Sequence, residues 1–238
     1  ITASEKKVVL ARVRFTADPA ELAATDVVVE MVTEDLGTKR RVMKQLGELC
    51  PPERVLVTNT STLSVTEIAA ASGRPDRVVG MHFMRPITRT PVVEVVRGTA
   101  TSDATYEQAL GLARVLDKTP IRVAERPGYV VTRVILPLLN EAMQVVQEGV
   151  ASAEDVDLAL RLAHEFRVGP LEYADRIGLD KVLGWMEHLH QELGDKYEPC
   201  LLLRELVEAG NLGCRTGRGF FAYEGGRRAT GAEKEAAR

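Results

Sequence analysis

The chain has 238 residues, 45% of them hydrophobic and 27% charged, with a formal net charge of −3. That is ordinary globular composition, and the slight acidic excess argues against the basic face of a nucleic-acid or membrane-surface binder. No apolar run reaches the roughly 18 residues that span a bilayer. The start shows no signal-peptide pattern. Cys50, Cys200 and Cys214 are too scattered and odd in number for a disulfide framework or a metal site, so a reducing cytoplasm is the expected setting and no metal is expected.

Residue 1 is Ile rather than Met, and "ITASEKKVVL" reads as the tail of something longer. After it, strand and helix signals alternate. "VRFTAD" (13–18) is a short β-branched and aromatic run, and "PAELAA" (19–24) a helical turn with Asp18 placed to cap it. "DVVVEMV" (26–32) shows little period-2 alternation and reads as a strand buried on both faces. A helix over 35–50, a strand over 54–61 and a helix over 64–72 opening on Ser64 and Glu67 follow. Strands over 77–84 and 91–98, a helix over 102–118 and a last strand over 120–125 complete this half. The alternation predicts an α/β region with a largely parallel sheet.

"PGYV" (127–130) breaks the pattern, and only helical periods follow, over 130–150, 152–166, 178–194 and 200–210. The reading is therefore a sheet-based domain over 1–125, a helical domain over 126–223 and a disordered tail over 224–238. The 130–150 helix is apolar nearly all round and must be covered on most sides, for which a second subunit is a natural candidate.

Ligands of open α/β sheets sit beyond the carboxyl ends of the strands. Glu34, the "TNTST" turn with Asn59 and Ser61, "HFMRP" with His82 and Arg85, and Glu94 all fall at or near such ends. A His steadied by a carboxylate from the neighbouring strand makes a general base, and Ser61 and Asn59 could hold a hydroxyl or carbonyl oxygen. Each residue also has a plainer reading. His82 could be structural, Glu94 could pair with Arg97 or Arg85, "TNTST" could be a capped turn, and the arginines of "RTGRG" could be solvated.

"NTSTLSVTEIA", "RVVGMHFM", "PVVEVVRG", "PGYVVTR", "GPLEYADRIGLD" and "GCRTGRGFFAY" stand in one order and spacing over about residues 12–223. In this the chain resembles the L-3-hydroxyacyl-CoA dehydrogenases, and among them the 3-hydroxybutyryl-CoA branch. The resemblance implies a Rossmann-like NAD domain followed by an all-α domain that forms a homodimer. It also implies interconversion of a (3S)-3-hydroxyacyl-CoA and its 3-ketoacyl-CoA. By the same resemblance His82 is the base, Glu94 its partner and Ser61 a contact to the substrate hydroxyl. Glu34, Lys39, Asn59, Ser61, Arg85 and Arg215 stand in the cofactor set, and Thr132 stands with the catalytic group.

Three departures qualify the implication. No G-x-G-x-x-G precedes the matched blocks, so the Rossmann-like domain is expected to be incomplete at its N-terminus, through truncation rather than as a natural half-enzyme, and NADP stays open beside NAD. Arg85 and Thr132 each stand where the family usually has Asn. Two alternatives follow: an acidic or carrier-bound 3-hydroxyacyl thioester held through Arg85, or a non-catalytic dimeric member.

Overall fold

The computed structural model describes residues 2–229, and it divides into two compact units, Ile1–Glu125 and Arg126–Arg238. In the first unit, strands β1 (Val27–Glu30), β2 (Val55–Thr58), β3 (Val78–Phe83), β4 (Val92–Arg97) and β5 (Thr119–Ala124) form one sheet in that order. All neighbours are parallel except β3 and β4. Helices α2 (Leu36–Leu49) and α3 (Val65–Ala70) cover one face, where Met43, Leu46 and Ile68 meet Val28, Leu56 and Val78. Helix α4 (Asp103–Val115) covers the other, with Tyr106, Ala109, Leu110 and Ala113 on Val57, Val79, Val93 and Val95. This three-layer arrangement is Rossmann-like.

Local chemistry accounts for the boundaries. Asp35, Ser64 and Ser102 each accept a backbone N–H of the first turn of α2, α3 and α4 respectively. Gly80 lets α3 lie on β3, because a Cβ there would come within 2.6 Å of the Val65 side chain.

Several expectations are corrected. Residues 13–18 form no strand: no neighbouring strand pairs with them, and without pairing β-branched residues gain nothing from extension. A short helix, α1 (Ala3–Leu10), stands where the sequence suggests only a tail, capped by Thr2 with Glu5 in a capping box. Strand β1 is not buried on both faces: it is the edge of the sheet, and Val29 is exposed between buried Val28 and Glu30.

The second unit is helical: α5 (Val131–Gln147), α6 (Ala153–Ala163), α7 (Pro170–Ile177), α8 (Leu179–Leu193) and α9 (Leu201–Glu208). Its core gathers Leu136, Leu139, Met143, Leu171, Val182, Met186 and Leu203, with Phe221 and Tyr223 of the last segment. Helix α7 is absent from the sequence-based expectation. The tail expected to be disordered from residue 224 contains part of a hairpin, β6 (Tyr223–Glu224) with β7 (Arg227–Arg228). Residues 230–238 lie outside the described residues. Among the described residues no helix is long and apolar enough to cross a membrane.

Candidate active site

Chemistry collects at the carboxyl ends of β1, β2 and β3. Because β4 runs antiparallel to β3, residues early in β4 reach the same edge, and Glu94 lies directly opposite His82 in the ladder. Opposed residues share a face of the sheet. His82 Nδ1 and Glu94 Oε2 are 2.7 Å apart, with His82 only 7% and Glu94 0% exposed. A carboxylate only accepts, so Nδ1 carries the hydrogen and Nε2 is the basic atom of the neutral ring. Arg97, one of the plainer partners for Glu94, reaches Asp103 instead at 2.6 Å.

The "TNTST" turn wraps around a second carboxylate. Glu34 Oε1 accepts from Thr60 Oγ1 at 2.5 Å, from the Ser61 N–H at 2.7 Å and from the Thr62 N–H at 3.3 Å. Thr60 Oγ1 also accepts the Leu63 N–H, so the turn serves both as a cap and as a carboxylate cradle. Ser61 is thereby fixed at the end of the sheet, half-buried.

Lys39, expected at the cofactor, has no exposed surface. Its ammonium is spent inside the protein, donating to Glu30 Oε1 at 2.9 Å and to the Asn59 carbonyl at 2.8 Å. Glu34 Oε2 lies 3.9 Å from it. Lys39 thereby supports the strand ends. Glu30, its buried partner, is not among the residues the sequence singles out. A signal for it exists, since Lys39 shares a helix face with buried Met43 and Leu46, and a buried cation demands an anion. Asn59 is half-buried, and its Oδ1 accepts the Phe83 N–H at 3.1 Å. Arg85 is exposed and has no hydrogen-bond or ion-pair partner among the described residues.

Two expected site residues belong to the second unit. Thr132 is buried in the first turn of α5. Arg215 is exposed and donates to Asp180 Oδ2 at 2.7 Å. The Gly-rich segment carrying Arg215 is tied to α7 by Asp175, whose carboxylate accepts from the N–H groups of Phe220 and Phe221 and from the Tyr223 hydroxyl. Gly219 is required there, because a Cβ would fall 2.0 Å from Asp175 Oδ1. Burial pushes the Asp175 carboxyl up to about 6 despite those three donors.

A family model described as the NAD-binding domain of 3-hydroxyacyl-CoA dehydrogenase matches residues 1–126, and one for the C-terminal domain matches residues 128–223. The chain belongs to the 3-hydroxyacyl-CoA dehydrogenase family. Within that family it is 46% identical to a probable 3-hydroxybutyryl-CoA dehydrogenase of Bacillus subtilis, over 94% of this chain and 78% of that protein. It is 37% identical to a 3-hydroxyadipyl-CoA dehydrogenase of Escherichia coli, over 96% of this chain and 49% of that one. The solved (S)-3-hydroxybutyryl-CoA dehydrogenase of Ralstonia eutropha superposes with a TM-score of 0.90 at 41% identity, over 94% of this chain and 80% of that one.

As a 3-hydroxyacyl-CoA dehydrogenase the chain is an NAD-dependent oxidoreductase. The residues present fit the nicotinamide–ribose half of that cofactor. Glu34 is a carboxylate pinned through one oxygen at the strand ends, suited to accept from ribose hydroxyls, and Ser61 stands beside it.

Proposed function

We propose that the protein oxidises (3S)-3-hydroxybutyryl-CoA, or a similarly short 3-hydroxyacyl-CoA, to the 3-ketoacyl-CoA and runs the reverse reaction, with His82 as the base. The observation that carries this reading is the buried 2.7 Å contact between His82 and Glu94 at the end of the sheet. Bound NAD would supply the hydride acceptor. His82 Nε2 takes the proton of the 3-hydroxyl and returns it in reduction. Glu94 holds the ring in the tautomer that leaves Nε2 basic, and it offsets the charge of the imidazolium as it forms. Ser61 orients the hydroxyl, and Glu34 and Asn59 hold the nicotinamide–ribose side.

His82→Ala tests the assignment. NADH consumption with acetoacetyl-CoA should fall by about a hundredfold or more while the far-ultraviolet circular dichroism stays unchanged. Wild-type turnover in that variant would remove His82 from the mechanism.

A second substrate reading is favoured by one observation, the exposed Arg85 three residues past His82, which has no hydrogen-bond or ion-pair partner among the described residues. A guanidinium suits a carboxylate on the far end of an acyl chain, and the E. coli relative is named for an adipyl thioester. Arg85→Asn should lower kcat/KM on 3-hydroxyadipyl-CoA by about tenfold and spare 3-hydroxybutyryl-CoA. An equal effect on both substrates would end this reading.

The working form is a homodimer built on the helical unit, located in the cytoplasm. Exposed Val130, Val131, Val134, Leu158 and Leu162 on and beside α5 and α6 support the first. The three cysteines, all free, support the second.

A further inference from the structure

Strand β3 outruns its parallel neighbour. The β2–β3 ladder ends at Thr58 opposite Gly80, whereas β3 continues through His82 to Phe83. The Asn59 side chain takes over where β2 stops, its Oδ1 accepting the Phe83 N–H and so standing in for a strand carbonyl. Because that N–H can only donate, the orientation of the amide is fixed. The peptide so held is the one joining His82 to Phe83.

Asn59 is itself held twice. Its N–H donates to the Glu30 carbonyl at 2.9 Å, and its own carbonyl accepts from Lys39 Nζ. Lys39 also has Glu30 Oε1 at 2.9 Å and the Val32 carbonyl at 3.5 Å. Glu30 further accepts from Thr58 Oγ1 at 2.6 Å and from the Val32 N–H at 2.7 Å. Both members of the ion pair are wholly buried. Stability alone does not call for such a pair, since apolar side chains of similar volume often serve a core as well or better. What the pair adds is direction, for it joins the ends of β1, β2 and β3 through fixed donors and acceptors.

We propose that Glu30, Lys39 and Asn59 form a positioning chain for the general base, setting where the His82–Phe83 peptide lies and hence where His82 stands between Glu94 and the Ser61 loop. None of the three needs to touch the reacting atoms for this. The inference rests on His82 being the base, as proposed above.

Lys39→Met alone leaves the charge of Glu30 buried without its partner and should unfold the unit. The informative variants are therefore Glu30→Met/Lys39→Met and Asn59→Ala. Both should fold, lower kcat by about tenfold to a hundredfold and leave KM for acetoacetyl-CoA within about twofold. In the cofactor-free protein, both should also shift the His82 ring ¹⁵N resonances, which report its tautomer and hydrogen bond. A folded double variant with wild-type kcat and unmoved His82 resonances overturns the proposal, provided His82→Ala is inactive. Full activity in His82→Ala overturns the base assignment and the positioning chain with it.

Discussion

Replacing Glu94 by Gln alters one atom and removes one charge. The amide oxygen can still accept from His82 Nδ1, so the ring stays in place, but an imidazolium would form with no anion 2.7 Å away. Glu94→Gln should therefore fold normally and lose about tenfold to a hundredfold in kcat, with less change in KM. Stopped-flow or steady-state NADH absorbance measures this, and an unchanged kcat would reduce Glu94 to a packing residue. The residue types of this pair are legible in the sequence, as are the strand-end positions of Glu34, Asn59 and Ser61. Glu30 is hidden inside an apolar run, and only the helical spacing of Lys39 with Met43 and Leu46 signals that it turns inward, against the habit of Lys.

At the scale of elements, α7 shows how a helix can escape a local reading. It has eight residues and no capping side chain at its own start. Its first N–H groups, on Leu171 and Glu172, donate to buried Asp157 in α6 at 2.8 and 3.0 Å, a cap supplied from fourteen and fifteen residues away. Asp175, on α7, then anchors the C-terminal segment. The anchor carries a pH dependence. The carboxyl of Asp175 is raised from its ordinary 3.8 to about 6 by burial, so the folded state binds its proton more tightly than the unfolded state does. Its stabilising contribution is complete below about pH 4 and is lost as the pH rises through about 6. The stability advantage of wild type over Asp175→Asn should therefore shrink between pH 4 and pH 7 by roughly 2 kcal/mol. Urea unfolding at the two pH values measures it, and a gap of the same size at both would refute the assignment.

At the scale of the whole molecule, the helical unit leaves large apolar side chains exposed. Val134 is 67% and Leu162 76% exposed. If α5 and α6 build the proposed dimer, light scattering should give twice the chain mass, and Val134→Glu should return it to a single chain mass while the helical signal persists. A wild-type monomer at micromolar concentration would refute the dimer.

Read alone, the sequence determined the alternation of strand and helix, the turn to helices near residue 126, the caps at Asp18 and Ser64, and the choice of His82 and Glu94. Each of these is written in local periodicity or in residue chemistry at a fixed offset. Only the tertiary structure decided that β3 and β4 run antiparallel and set those two side chains face to face. It alone made β1 an exposed edge, left 13–18 without a strand, turned Lys39 inward onto Glu30 and let a distant Asp cap α7. The physical reason is common to all of them: pairing, burial and long-range hydrogen bonds depend on which segments meet, and no window of neighbouring residues contains that information.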